Sequence, residues 1–259
     1  MRKIALCFLL ILTAIASLAV ADGFSFVVYG DNRPAKAELA QPETFLKIIN
    51  EINKLKGPEF AVSLGDMVYD SRDPVIQEKR FDEYLACIAP LRIPVYHVPG
   101  NHDIAGRKEN EELFKRKFGP LYTSFMTHGC LFICLNSEEL GRDGTISETQ
   151  MVWLEKELRK SAKKKFIFVH RPFFPNYYRQ DNLAYSMKMW NLFKKNRVSA
   201  VFCGHEHFFN ETVLDGIPQY TSGGAGAPLY PSANGRFYHF CVVNVWEKGF
   251  SVTPVKIND

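Results

Sequence analysis

The sequence predicts an α/β fold built on parallel β-α-β units, and three observations carry that expectation. Short apolar runs alternate with segments that repeat their apolar residues every three or four positions, the mark of strands alternating with amphipathic helices. Asp31, Asp66 and Asn101 stand 35 residues apart in succession, and His170 and His205 are again 35 apart. That interval is about one β-α-β step. Beyond Phe209 the pattern reads as β throughout, so a strand-rich portion completes the fold.

With 259 residues, 46% of them hydrophobic and 14% aromatic, the chain can fill one core. Neither repeats nor a linker or low-complexity tract divide it, so one domain is expected over residues 22–259. Residues 1–21 differ in character. Arg2 and Lys3 precede an apolar run over 4–20, and Ala19-Val20-Ala21 is a small-x-small cleavage pattern. The run is 17 residues long, at the short limit for a membrane span. A signal peptide cut after Ala21 is expected in preference to an anchor, which gives a secreted or periplasmic protein with no stable membrane anchor. Losing Arg2 and Lys3 would leave 30 basic against 28 acidic residues, a formal charge of +2 in place of +4. That balance is no footprint for nucleic acid or an anionic membrane. Five cysteines remain beyond Cys7, an odd number without zinc-finger or disulfide-framework spacing. Buried thiols are expected, with room for one bridge.

The first strand is expected over 24–29, closed by Gly30-Asp31-Asn32-Arg33-Pro34. A helix follows with Phe45, Ile48, Ile49, Ile52 and Leu55 on one face, ended by Gly57-Pro58. A strand over 60–64 leads into Gly65-Asp66-Met67-Val68-Tyr69-Asp70. A second amphipathic helix, marked by Phe81, Tyr84, Leu85 and Ile88, leads to the apolar run 93–98 and then Pro99-Gly100-Asn101-His102-Asp103. Such a series needs parallel strands and right-handed crossovers. A charged helix over 107–118 and strand-like runs near 122–126 and 130–135 come next. Ser147 and Gln150 have capping-box spacing, with Ile146 placed to staple to Met151. Lys163-Lys164-Lys165 reads as the solvated end of that helix. A strand over 166–169 closes at His170, an aromatic-rich loop spans 171–185, and a helix ends near Asn196. The strand 198–202 runs into Cys203-Gly204-His205-Glu206-His207. Strands over 209–214 and 219–222, a glycine turn over 223–226 and two strands joined near Lys248-Gly249 complete the chain.

Asp31, Asp66, Asn101, His170, His205 and His207 thus each follow the C-terminal end of a strand. In parallel sheets those ends lie side by side, and ligands bind there. Two carboxylates, an amide and three imidazoles are more donors than one cation needs, and they suit two cations sharing a carboxylate. Mixed oxygen and imidazole donors suit Mn, Fe or Zn and, lacking a thiolate, do not suit Cu(I) or an Fe–S cluster. His97 reads as a core histidine, and His128 and His239 as structural. Phe173, Phe174, Tyr177 and Tyr178 either stack a base or aromatic leaving group or cover the core edge. Asn210-Glu211-Thr212 is a glycosylation sequon only in a eukaryotic source.

Gly30-Asp31, Gly65-Asp66-Met67-Val68-Tyr69, Gly100-Asn101-His102-Asp103, Val169-His170 and Gly204-His205-Glu206-His207 resemble, in order, the five motifs of calcineurin-like metallophosphoesterases. Ser222-Gly223-Gly224-Ala225-Gly226 resembles that family's late glycine turn. The resemblance implies a four-layer α/β/β/α sandwich with two central mixed β-sheets and a dimetal site at the strand C-terminal ends. It implies that Asp66 bridges the metals, that Asp31 and His207 hold the first, and that Asn101, His170 and His205 hold the second. His102 would be no ligand; it would face the scissile phosphate and assist the leaving group or the transition state, with Asp103 orienting its ring. Two cations about 3.5–4 Å apart can clamp a phosphoryl group and turn a bridging water into hydroxide for in-line attack. An imidazole is then a fitting partner for the leaving oxygen.

One position departs from the pattern. Many members carry Asp-x-His in the first motif, where this chain has Arg33. Purple acid phosphatases also lack that histidine and use the tyrosine of Gly-Asp-x-x-Tyr, which Tyr69 matches. Tyr69 is therefore either a ferric ligand or a packing residue beside the site. Arg33 either contacts the phosphate or pairs with a carboxylate. The resemblance implies a phosphoesterase with two divalent or mixed-valence ions (Fe, Mn or Zn) acting on a small phosphorylated substrate, and the expected signal peptide would make it an exported one. Two alternatives stand beside it: a nucleotide or other phosphodiesterase rather than a monoesterase, and a non-catalytic binding module of the same fold. The filled ligand positions weigh against the second.

Overall fold

A computed structural model of the chain describes residues 23–142 and 144–257. The expected signal peptide and Cys7 lie outside the described residues. The principal strands are apolar on both faces, and that decides the architecture. In β1 (Phe24–Tyr29), Phe24, Phe26 and Val28 enter one core, and Val27 and Tyr29 enter another on the opposite face. Such strands need cover on both sides.

β1 pairs in parallel with β2 (Pro58–Ser63), and β2 with β3 (Val95–His97). α1 (Glu43–Lys54) and α2 (Pro74–Ile88) are the crossovers, and the single turn α3 (Asn101–Ile104) and α4 (Lys108–Phe118) follow β3. A second sheet starts with the hairpin β4 (Thr123–Thr127) and β5 (Cys130–Cys134). After α5 (Glu148–Leu158) it adds β6 (Lys165–Val169), and after α6 (Leu183–Lys195) it adds β7 (Ala200–Cys203). β8 (Phe209–Leu214) and β9 (Ile217–Ser222) complete it in the order β4-β5-β6-β7-β9-β8, with β5, β6, β7 and β9 mutually parallel. The chain then returns to the first sheet as β10 (Tyr238–Trp246) and β11 (Gly249–Ile257), antiparallel, giving β11-β10-β1-β2-β3.

Three apolar layers follow from this order. Between the sheets lies a phenylalanine layer: Phe26 stacks on Phe60 at 5.1 Å and meets Phe132 edge-on at 5.4 Å, with Phe166, Phe168 and Phe202 alongside. α1, α2 and α4 cover the outer face of the first sheet through residues such as Phe45, Ile48, Phe81 and Phe114. α5 and α6 cover the second through Leu154, Leu158, Trp190 and Phe193. The chain therefore forms the expected α/β/β/α sandwich with two mixed sheets.

Details differ from the sequence reading where side chains found other partners. The run 93–98 yields a strand of only three residues, because Pro94 has no N–H to donate. Ser147 does cap α5, accepting from the Gln150 N–H at 3.2 Å. The reciprocal half of the box is not made: the Gln150 side chain bonds the Asn136 carbonyl and Glu139 instead. Lys163-Lys164-Lys165 is not a solvated helix end. α5 stops at Leu158, Lys165 opens β6, and Lys164 is buried, donating to the carbonyls of Trp246 and Glu247 at 2.9 and 2.8 Å. The ammonium thereby closes the β10–β11 turn. Cys87, Cys130, Cys134, Cys203 and Cys241 are all free thiols, so the bridge that the count allowed does not form among the described residues. No helix among the described residues is long and apolar enough to cross a membrane.

Candidate metal centre

Asp31 lies two residues past β1, Asp66 three past β2, Asn101 four past β3, His170 one past β6 and His205 two past β7. Direct bonds tie these loops together: the Asp31 N–H donates to the Gly65 carbonyl at 2.9 Å, and the His205 N–H donates to the Asp31 carboxylate at 3.0 Å. The His102 N–H donates to Asp66 Oδ1 at 2.9 Å. Two glycines permit the approach. A Cβ on Gly100 would lie 2.2 Å from the Asp66 nitrogen, and one on Gly204 2.5 Å from Asp31 Oδ2. The loops also carry backbone strain, since Asp31, Asp66 and His205 sit at φ of 59°, 53° and 68°. Non-glycine residues held in the left-handed region cost roughly 1–3 kcal/mol each and cluster at functional sites.

The result is two triads of donor atoms that share Asp66. Asp66, His170 and His205 form one, and Asp31, Asp66 and His207 the other, with the donor atoms of each within 4.8 Å of one another. Asn101 joins the first, its Oδ1 3.0 Å from His170 Nε2, which is itself 3.2 Å from His205 Nδ1. In the second triad His207 Nε2 is 3.5 Å from Asp31 Oδ1. Two rings are locked from behind: His170 Nδ1 donates to the Leu64 carbonyl at 2.9 Å and His207 Nδ1 to the Pro228 carbonyl at 2.8 Å. That leaves each Nε2 bare toward the centre, as metal-binding histidines require.

The charge states of Asp66 and His205 suit cations, while at His170 burial is outweighed by the Asp66 and Asp31 charges, which raise the ring above its ordinary value. Burial alone would raise Asp66, but the imidazoles of His170 and His102 and the His102 N–H outweigh it and hold the carboxyl at about 2. Burial and the neighbouring His170 push His205 down, toward the neutral ring that a cation binds. Cys203 takes no part; its thiol is buried and bonded to the Tyr220 carbonyl at 3.4 Å. Carboxylate, amide and imidazole donors at these separations fit a pair of borderline cations.

His102 stands beside the triads rather than within them, its Nε2 3.8 Å from Asp66 Oδ2. Asp103 does not orient it. Its buried carboxylate is spent on the backbone, accepting from the N–H groups of Asp66, Met67 and Gly100 at 2.8, 3.0 and 2.8 Å. The ring is oriented by Asp70, whose Oδ1 lies 2.5 Å from His102 Nδ1. The reason is geometric: α3 turns Asp103 back under the Gly65–Met67 loop, while Asp70 comes over the ring from the end of that loop. Arg33 reaches the same oxygen as His102, with Nε 3.7 Å from Asp66 Oδ2, and that buried Nε has no hydrogen-bond partner. The Tyr69 ring centroid lies 5.6 Å from both the Arg33 guanidinium carbon and the His102 ring.

Other histidines fall where the sequence put them. His97 bonds the Tyr84 hydroxyl and packs against Phe118, His239 is fully buried, and His128 pairs with Glu59 on an exposed turn. Sequence reasoning missed Asp70, although it shares a motif with Asp66. It also missed Tyr230, which stacks on His207 at 4.2 Å. A third omission was the pair of Arg171 with Glu138, held by Nε at 2.9 Å and Nη2 at 3.1 Å. Only the proximity of Asp70 to its motif was visible in one dimension.

Fold and centre together define a two-sheet sandwich with a carboxylate–imidazole site for paired ions. The profile of the calcineurin-like phosphoesterase family matches residues 24–209, and the chain belongs to that family. The chain is 29% identical over 187 residues to the serine/threonine-protein phosphatase CPPED1 of Bos taurus, covering 66% of this chain and 59% of that one. It thus spans about three fifths of that relative's length. It is 26% identical over 266 residues to tartrate-resistant acid phosphatase type 5 of Homo sapiens, covering 86% and 80%. A dimetal phosphatase from Danio rerio shares the fold with a TM-score of 0.70 at 14% identity, over 90% of this chain and 96% of that one. The purple acid phosphatase of yellow lupin seeds does so at 0.69 and 18%, over 90% and 51%.

Proposed function

We propose that the chain is an exported two-metal phosphoesterase that hydrolyses small phosphate esters. The observation that carries this reading is the place of Asp66: it belongs to both donor triads, while Arg33 Nε and His102 Nε2 both face its Oδ2. Asp31, Asp66 and His207 would hold one ion, and Asp66, Asn101, His170 and His205 the other, drawn from Fe, Mn or Zn. Bound there, the ions supply a Lewis-acid clamp on phosphoryl oxygens and activate a water. The chain's own residues do the rest. With Nδ1 engaged by Asp70, His102 carries Nε2 toward the centre and delivers its proton to the departing ester oxygen. Arg33, whose fork suits phosphoryl oxygens, binds the non-bridging ones. Export is supported by Arg2, Lys3, the apolar run over 4–20 and the cleavage pattern Ala19-Val20-Ala21; N-terminal sequencing of the exported protein should begin at Asp22.

The test is hydrolysis of an aryl phosphate monoester and its matching diester by protein loaded with Mn, Zn or Fe. Turnover of either ester is expected, and the ratio between them sets the substrate class. Asp66→Asn should lower turnover by at least roughly a hundredfold, more than changes behind the ligands usually cost, and should lower the metal content measured by mass spectrometry. A violet band in the iron form would make the Tyr69 phenolate a ferric ligand; a colourless active enzyme would make it a packing residue. Metal binding without turnover of either ester would favour the non-catalytic module, and a chain that binds no metal would overturn the reading.

A further inference from the structure

The aromatic loop after His170 divides in two. Phe173 and Phe174 turn inward, packing on Phe193 at 5.4 Å and on Trp190 at 5.0 Å. Gln219 pins that half by accepting from both of their N–H groups. Tyr177 and Tyr178 turn outward and remain 50% and 40% exposed, although the loop's anchorage in the core is already complete. They meet Tyr230 from the loop after β9. Tyr177 stacks on Tyr230 at 4.6 Å, Tyr178 stands edge-on to Tyr177 at 5.3 Å, and the hydroxyls of Tyr178 and Tyr230 bond at 2.9 Å.

This wall borders both donor triads. The Tyr230 ring lies on His207 at 4.2 Å, and the Tyr178 ring lies 4.7 Å from His205. A cavity of about 110 Å³ opens beside Tyr178 and His205; Tyr230, stacked between Tyr177 and His207, stands behind Tyr178 and does not line it. Glu206, fully buried between those two histidines in sequence, holds the wall in place. Its carboxylate accepts the backbone N–H groups of Asn176, Tyr177 and Tyr178 at 2.9, 2.6 and 3.0 Å. A buried carboxylate that spends its hydrogen bonds on an exposed loop serves the surface the loop presents.

We propose that Tyr178, backed by Tyr177 and Tyr230, forms a subsite for a flat aromatic group carried by the phosphate ester, with Glu206 as its positioning residue. The proposal rests on the phosphoesterase reading and deepens it by naming the substrate class. The phosphoryl group occupies the charged centre, and the ring of the ester lies in the cavity against Tyr178. An aryl phosphate and a nucleotide share that chemistry. Stacking on such a wall is worth roughly a threefold to tenfold gain in affinity over an alkyl group.

The test is calorimetric binding of three phosphonates, which resist hydrolysis, to the full manganese-loaded chain: propyl, phenyl and an adenine-bearing alkyl phosphonate. At least one ring-bearing probe should bind about threefold to tenfold more tightly than propylphosphonate, and whichever ring is preferred names the source. That ratio should fall to near one in Tyr178→Leu and in Glu206→Ala. Glu206→Gln, whose amide oxygen still accepts the loop N–H groups, should restore most of it. A wild-type ratio near one, or a ratio unchanged in Tyr178→Leu, overturns the subsite; that exposed position decides the matter even if Glu206→Ala does not fold. If ester hydrolysis persists in such a case, the subsite alone has failed. If no phosphonate binds and no ester is cleaved, the phosphoesterase reading has failed and the subsite with it.

Discussion

Two carboxylates lie close to His102, and their hydrogen bonds divide the work between them. Asp70 is held below the usual carboxylate range chiefly by its bond to the His102 ring. Asp103 is pushed upward by burial and by the facing Asp66 charge, and it spends its oxygens on loop N–H groups. Substitution should separate the two roles. Asp70→Asn should lower kcat by about 10- to 100-fold with metal content intact. Asp103→Asn should instead loosen the Gly65–Met67 loop and lower metal content. Metal loss in Asp70→Asn with none in Asp103→Asn would reverse the assignment.

At the scale of the element, β10 carries a histidine whose burial has a measurable consequence. His239 bonds Ser222 Oγ at 3.2 Å and packs so closely on Gly224 that a Cβ there would lie 2.2 Å from Nδ1. Burial pushes the ring from 6.5 down to about 4. The folded chain therefore keeps it neutral at pH values where the unfolded chain binds a proton. Stability from this group is complete above pH 6.5 and is lost as pH falls toward 4, by up to roughly 3 kcal/mol. His97, also pushed down by burial, acts in the same direction. Urea unfolding between pH 7 and 4 should show this slope, and His239→Gln should flatten it. An identical slope in the variant would exclude His239 as its source.

The whole molecule gains a clamp from the same arrangement. Asp31, Asp66 and Asn101 come from loops of the first sheet, and His170, His205 and His207 from loops of the second. Each donor triad therefore spans the phenylalanine layer at one end, and ions bound there would join the sheets. An ion present at a hundredfold over its Kd adds about 2.7 kcal/mol to the folded state. For a domain of this size that is a rise in Tm of roughly 5–10 °C. Manganese or zinc should produce this shift in a thermal melt and EDTA should reverse it. A melt indifferent to all three would show that the folded chain holds no ion.

The sequence by itself determined the parallel β-α-β frame, the strand-end position of the six candidate ligands and the family. These rest on period, spacing and glycine placement, which are local properties of the chain. It also separated His97, His128 and His239 from the site. Only the tertiary structure decided which carboxylate serves His102, because Asp103 is its neighbour in sequence and Asp70 lies 32 residues away, and only the folding of α3 against the Gly65–Asp70 loop turns the first away and brings the second to the ring. The same holds for Lys164, buried against a turn 82 residues away, and for Tyr230, brought onto His207 by the loop after β9. Contacts between elements distant in sequence leave no periodic trace, so the partners of the candidate catalytic side chains become visible only once both sheets are packed.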